Sequence, residues 1–430
     1  RLYNIYQPLS VSYDGGESFD PVPMIPADET KGIHADFHAM WVDRADPKHF
    51  VIGGDGGLGI TYDHGRSWYF PETIPVAQFY QISADHERPF NVYGGMQDNG
   101  NWSGPAYTWK RGGIRTLYWQ YLVGGDGFYI APDLDNPRFG YGTSQNGDLY
   151  RYDKLTGYYQ SIQPTTEDPD TPLRFNWNAA FAKDPFNPNA VYYGSQFVHK
   201  SQDKGASWSV LSPDLTTNNP EHQKRDYGGL TLDISGAENY NSILSIAPSR
   251  IDPNLIWTGS DDGQVHVTTN GGSQWKNLTK RIKGLPKQAW IARIHASPHD
   301  ANIAWLLVNN YRQGDYSPYL FQTLDQGKTW TNVLKDKGVR GYALAFVQDP
   351  EVPALQFLGT EHGLYISIDA GAHWVQFKNG FPSVSTRDLF IQEPESALVV
   401  GTFGRAIWVL DDLLSLRAIA AGQLTAPLQA

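Results

Sequence analysis

A short phrase, Ser/Thr-x-Asp/Asn-x-Gly-x-x-Trp/Phe, occurs six times in this chain and constrains its fold more than any other feature. The copies span 12–19, 61–68, 201–208, 268–275, 323–330 and 367–374, with their acid or amide at Asp14, Asp63, Asp203, Asn270, Asp325 and Asp369. Each reads as a hairpin. A hydroxyl residue ends one strand, the Asp or Asn side chain bonds backbone N–H groups of the turn, and Gly takes a positive φ. The aromatic residue then anchors the next strand. These turn acids are structural by that reading.

Successive copies are 49, 140, 67, 55 and 44 residues apart. The long gap is close to three short ones and implies two degenerate copies, one around Asp153 and one near 109–113. A second phrase, apolar strand–Gly–polar turn–Gly–strand, recurs at 51–57, 92–100, 141–147, 191–195, 256–263, 357–363 and 400–405. A period of this length with four strands per unit predicts an all-β chain, a β-propeller of four-stranded blades. Inner strands are predicted near 34, 78, 127, 175, 241, 290 and 341, giving seven complete blades plus partial flanking blades in a seven- or eight-bladed ring. The predicted division is 1–28 as a partial blade (closing the ring or part of an upstream propeller) and 29–385 as the seven-bladed propeller. Residues 386–412 form a closing partial blade and 413–430 a C-terminal tail. Partial blades leave strand edges, which native proteins cover. A second propeller or another chain is therefore expected there, with 2–6 pairing to 397–411 or to a partner.

The net charge of −11 gives nothing to offset phosphate repulsion, which argues against nucleic acid and against an anionic membrane. No window approaches the roughly 20 apolar residues of a membrane span. With no cysteine, disulfides, thiolate catalysis and Cys–zinc sites are excluded.

Several phrases go beyond the repeat itself: His34-Ala-Asp36-Phe-His38-Ala-Met-Trp, Gly95-Met-Gln97-Asp98-Asn-Gly100, Ser212-Pro-Asp214-Leu-Thr216, Gly259-Ser-Asp261-Asp262-Gly, and Gly401-Thr-Phe-Gly-Arg405-Ala-Ile-Trp408. With the six turns, which are Asp-box (BNR) repeats, they resemble the bacterial exported proteins related to the sortilin/VPS10 propeller. Such proteins are often labelled glycosyl hydrolases. The resemblance covers essentially the whole chain, matching the second half of such proteins. It implies the propeller fold, an extracellular, periplasmic or cell-surface location, and an upstream propeller. The cysteine-rich modules that follow the sortilin propeller are absent, and the sialidase Arg signature and nucleophilic Tyr are not recognisable. The resemblance thus implies fold and export more strongly than any reaction.

In such a fold the repeated turns lie on one face, and the loops between the second and third strands lie on the other. That second face is where ligand is expected, and it carries Asp55, Gln97, Asp98, Asp261, Asp262, Glu361 and Arg405, with Asp126 from an inter-blade loop. Asp36, Asp55, Asp98 and Asp126 come from consecutive blades and are the candidate carboxylate pair for glycoside hydrolysis. His34, Asp36 and His38 alternate along a predicted strand and suit a divalent metal such as zinc. The competing reading is a polar filling of the propeller axis. The 216–241 loop, with His222, Lys224, Arg225, Asp226, Asp233 and Glu238, is long enough to be functional. Tyr80, Trp102, Tyr107, Trp109, Trp119, Tyr121, Trp177 and Trp290 are either stacking residues or inter-blade core. No nucleophile with its base is recognisable. The expected function is therefore binding or scaffolding of a peptide, protein or glycan, with a glycoside hydrolase or a metal-dependent hydrolase as alternatives.

Overall fold

The computed structural model describes residues 1–5, 9–22, 36–71, 74–224 and 239–423. Their strands form nine antiparallel sheets, each a simple meander of three or four strands. Six four-stranded sheets follow one another over 79–123, 130–161, 181–210, 243–277, 290–332 and 343–376, and a three-stranded sheet covers 386–410. The fold is all-β, as the period predicted. Among the described residues, no helix is long and apolar enough to cross a membrane.

In the ring the sheets stack face to face, so their central strands are buried on both faces rather than alternating. Gln356–Thr360 and Ala397–Thr402 are buried at every position. Aromatic pairs bridge adjacent sheets: Trp257 meets Trp330 edge-on at 6.0 Å, and Trp305 meets Phe346 at 4.9 Å. The approach is close enough that a Cβ on Gly259 would lie 2.2 Å from Ile291 Cγ2, which leaves room only for hydrogen there.

The ring closes between the first and last of these seven sheets. Phe79–Ala84 packs against Thr386–Gln392 and Ala397–Thr402 around Phe79, Ile82, Val92 and Val399. Gln78 bridges Phe403, Ile82 N–H donates to Asp388 Oδ2 at 2.9 Å, and Gln392 Nε2 donates to the Asp85 carbonyl at 3.0 Å. The short helix Leu414–Ala420 then folds back over the outer end. Its Arg417 reaches Asp349 Oδ2 at 2.9 Å, Glu351 Oε1 at 2.6 Å and Ser396 Oγ at 2.8 Å.

Two three-stranded sheets, over 2–21 and 37–61, pack mainly on each other through Leu9, Val11, Val22, Phe37, Phe50 and Ile52. The predicted partition therefore shifts by one blade: 386–410 stands in the ring, and the sheet starting near 34 stands beside it. Periodicity misses this because the 42 residues from Phe37 to Phe79 are close to the 43 from Ala343 to Thr386, which are true ring neighbours. Leu2–Asn4 pairs with Ser10–Ser12 through a local connection, not with 397–411 as expected. Nearby residues close a hairpin at less entropic cost than a distant strand.

All six repeated turns share one hydrogen-bond pattern, except that the turn at Asn270 lacks the last of its four bonds. In the fifth, Thr323 Oγ1 accepts from Gly327 N–H at 2.8 Å and donates to Asp325 Oδ1 at 2.9 Å. Asp325 in turn accepts from Thr329 N–H at 2.9 Å and Thr329 Oγ1 at 2.7 Å. The closing aromatic reaches across to the preceding sheet: Trp208 Nε1 donates to the Ile162 carbonyl at 2.7 Å and Trp275 Nε1 to Leu211 at 3.2 Å. The turn thus fastens blade to blade. Thr323→Val removes a buried hydroxyl that organises the turn and is expected to lower stability by about 1–3 kcal/mol in urea unfolding. An unchanged midpoint would mean the network contributes nothing.

Candidate functional site

Every ring sheet, or the segment leading into it, sends side chains into an axial cavity of about 280 Å3, whose lining includes Tyr80, Gln97, Phe128, Trp177, Trp290, Tyr311, Arg312, Leu344 and Arg387. A second cavity of about 190 Å3 continues along the axis and shares Gln81, Leu244, Ala292 and Arg293. Arg293 pairs with the buried Asp388 between them. One local device aims these side chains. Five of the seven inner strands of the ring have a register break near their start, between Phe79 and Gln81, Ile243 and Ser245, Ile291 and Arg293, Ala343 and Ala345, and Thr386 and Asp388. The extra residues are Tyr80, Leu244, Ala292, Leu344 and Arg387, and all five line the cavity. A bulge re-aims a side chain in this way next to binding sites.

Two arginines dominate the cavity's charge. The Arg312 guanidinium lies 3.4 Å from the Trp290 ring centroid and 4.5 Å from that of Tyr311, and its Nη1 donates to Asn309 Oδ1 at 3.3 Å. Arg387 lies over Phe403 at 4.5 Å and Tyr80 at 5.4 Å. Its Nε is buried without a hydrogen-bond partner. Neither arginine has a carboxylate within ion-pair distance among the described residues. Desolvation by the walls pulls Arg312 below the usual guanidinium range, and the nearby Arg387 pulls the same way. Tyr80, hydrogen-bonded to Gln97 Oε1 at 2.7 Å, is pushed up to about 12 chiefly by burial. The result is a cationic, aromatic-walled chamber.

The residues expected from sequence go to three places. Gln97 lines the cavity. Asp261 and Asp262 are buried: Asp261 accepts from Asn176 and Ser242, and Asp262 from Thr217 and Asn241. They hold the two ends of the 216–241 loop, whose residues 225–238, including Arg225, Asp226, Asp233 and Glu238, lie outside the described set. Tyr240, at the end of that loop, accepts from Trp290 Nε1 at 2.6 Å. Glu361 and Arg405 lie in second-to-third-strand connections of the last two ring sheets but do not line the cavity.

Asp36, Asp55 and Asp98 converge, each offering an oxygen within 4.8 Å of the others, where the 37–61 sheet meets the ring. Asp126 accepts from Asp98 N–H at 2.7 Å. His38 pairs with Asp55 at 2.8 Å and occupies the bulge between Phe37 and Ala39, which breaks the alternation expected of His34, Asp36 and His38. His34 lies outside the described residues. The gathered donors are oxygens, the set for a hard cation rather than for zinc. Burial first, then Asp55 and Asp126, push Asp98 up to about 7.

Arg312, Arg387, Tyr311 and Leu344 were not anticipated, whereas Tyr80, Trp177 and Trp290 were singled out as aromatics. Only the observed strand bounds bring Tyr80, Leu244, Leu344 and Arg387 into one column, each the second residue of its inner strand.

No protein-family model matches the chain, and no curated protein matches it by sequence. Among solved structures it is similar to a chain described as "COPII on membranes, outer coat vertex". The TM-score is 0.51 at 12% identity, over 78% of this chain and 84% of that one. The chain is a β-propeller. The computationally designed Ika8 protein (TM-score 0.44, 14% identity, 87% of this chain and 95% of that one) and YCF48 bound to D1 peptide (0.42, 12%, 88% and 93%) are weaker likenesses. At such identities the likeness is one of fold, and this propeller's function has to be argued from its own side chains.

Burial also sets the propeller's pH response. Asp98 and Asp261 are both raised to about 7 from an ordinary 3.8, Asp261 by burial first. Between those values the folded state binds protons that the unfolded chain does not, so stability rises as pH falls from 8 through 7. Burial pulls His199 and His266 down to about 4, and His295 to about 3, from an ordinary 6.5. Below 6.5 the unfolded chain charges these three histidines while the folded one keeps them neutral, and stability falls. Urea midpoints should therefore fall as pH drops below 6.5, and Asp98→Asn with Asp261→Asn should remove the acids' share of the alkaline limb, leaving that of Lys183, which burial pulls down to about 8. A double variant whose midpoint follows pH between 6.5 and 8 just as the wild type's does would contradict this. A divalent ion among Asp36, Asp55 and Asp98 would neutralise the same charges as the proton, removing the Asp98 share of that limb.

Proposed function

We propose that this propeller is a binding module that draws an anionic segment of a peptide or protein into the axial cavity, against Arg312 and Arg387. One observation carries the reading: a buried guanidinium nitrogen without a partner, in an aromatic chamber lined by three arginines, of which only Arg293 has a carboxylate partner, and by no carboxylate. Burying unpaired charge is costly, and a ligand carboxylate with bidentate geometry would offset the cost. The flanking aromatics supply rigid apolar contact area. Membership of the exported sortilin/VPS10-like Asp-box group, and an extracellular, periplasmic or cell-surface location, belong to the same proposal. They are supported by the six turns and by the phrases shared with that group. So does a second propeller or another chain beside the 2–61 sheets. Trp41 in Phe37–Val42 is half exposed, whereas the equivalent ring strands are covered.

The glycoside-hydrolase alternative draws less support. Its candidate carboxylates, Asp36, Asp55, Asp98 and Asp126, do not line the axial cavity. The Ser195–His199 pair, at 2.8 Å, is wholly buried, which makes it a packing contact rather than a nucleophile with its base.

The test is Arg387→Met, which keeps the side chain's bulk and removes its charge. Affinity for acidic peptides, read by fluorescence anisotropy, should fall about tenfold or more while the unfolding midpoint holds or rises, since a half-buried cation without a carboxylate partner has been removed. Equal affinity in the variant and the wild type would end this reading.

A further inference from the structure

The connection 106–119, between Gly100–Pro105 and Gln120–Val123, takes the place that a repeated turn takes in other sheets, but its chemistry is different. Residues 109–117 are all exposed, with Trp109 at 93% and Leu117 at 62%. The stretch contains Lys110, Arg111 and Arg115 and no acidic residue, within a chain of net charge −11. None of the three cations has a carboxylate partner among the described residues. Lys110 and Arg115 lie over the Tyr118 ring at 4.9 and 6.0 Å instead. A Gly113 N–H to Lys110 carbonyl bond at 2.9 Å and the 3-10 turn Thr116–Tyr118 shape the tip. Gln120 Nε2 donates to the Lys154 carbonyl, fixing the loop's base beside the neighbouring turn, where Leu155 is exposed.

We propose that this loop seats the protein on an anionic lipid surface. The net charge of the whole chain argues against such a surface, but screening confines electrostatics to about a Debye length, so the local sign decides. Trp with flanking Lys and Arg is the chemistry of the membrane–water interface, where the ring lies at headgroup level and the cations face anionic lipid. Ile114 and Leu117 distinguish a bilayer from a hydrated polyanion such as an acidic glycan. Aliphatic side chains bury at the acyl boundary and gain nothing against a sugar–phosphate or uronate backbone. A single protruding tip also suits a yielding lipid surface better than a protein partner, which needs a patch of about 800 Å2 per side.

Co-sedimentation of the full chain with vesicles tests this directly. At low ionic strength the protein should pellet with vesicles of equal parts phosphatidylglycerol and phosphatidylcholine and stay in solution with phosphatidylcholine alone. Added salt should reverse the binding. Trp109→Ala should weaken it about tenfold. Lys110→Gln, Arg111→Gln and Arg115→Gln together should weaken it about a hundredfold, at roughly fivefold per cation. All these positions are exposed, so thermal midpoints should match the wild type and exclude misfolding as the cause. No binding to the anionic vesicles, or equal binding by the variants, overturns the proposal. Two further results overturn it in favour of another occupant: retention on a soluble acidic polysaccharide without vesicle binding, and a Trp109-dependent dimer in sedimentation velocity.

Discussion

Arg417→Ala is expected to lower the stability of the propeller by about 3–5 kcal/mol, far more than a surface arginine would. Arg417 is 4% exposed and its main partner, Asp349, is fully buried. Removing the guanidinium leaves the Asp349 carboxylate in a desolvated site whose other bonds come from the Glu351 and Val352 N–H groups. The helix would also lose the tie that holds it to the sixth and seventh ring sheets. Urea unfolding reads the effect as a lower midpoint. A double variant, Arg417→Met with Asp349→Leu, should recover much of the loss, because the stranded charge is what costs most. A single variant within about 1 kcal/mol of wild type would show that water reaches the pair.

Asp388→Ala should be comparably damaging, for a different reason. Asp388 accepts from Ile82 N–H at 2.9 Å and from the Leu389 N–H at 2.8 Å, and it pairs with Arg293 across the axis. Its loss strands a buried guanidinium and removes the polar clasp between the first and last ring sheets, a cost again of about 3–5 kcal/mol. The loss should surface as early hydrogen exchange in 79–84 and 386–402, the two sides of the seam, rather than uniformly. Uniform exchange at wild-type rates would show that apolar packing alone closes the ring.

The fold was legible because its repeat is enforced by local chemistry. Each turn needs its hydroxyl, its acid or amide and its glycine at fixed offsets, whatever surrounds it. Ring membership was not legible, because Phe37–Val42 and Phe79–Ala84 obey the same local rules and differ only in what covers them. The candidate site was half legible. Trp290 and Tyr80 could be flagged as aromatics, but a bulge is a property of strand pairing and leaves no mark on one sequence. Arg387 therefore looked like an ordinary strand residue beside Asp388. The acids failed for the opposite reason. Asp261 and Asp262 lie in the right loops, yet burial turned them into anchors for the chain at 217 and 241–242.

The seam has a consequence in time. Ile82 and Asp388, which join across it, are 306 residues apart in the chain. At roughly 5–20 residues per second, a ribosome takes on the order of 15–60 s to supply that neighbour. Throughout that interval the first sheet has one apolar flank open to water, and each new sheet covers only its predecessor. The nascent chain is an open arc, and the final sheet ends its exposure at both tips in one event. Conditions that slow elongation should therefore lower the soluble yield of this protein more than those of a helical protein of equal length, whose contacts are made as it emerges.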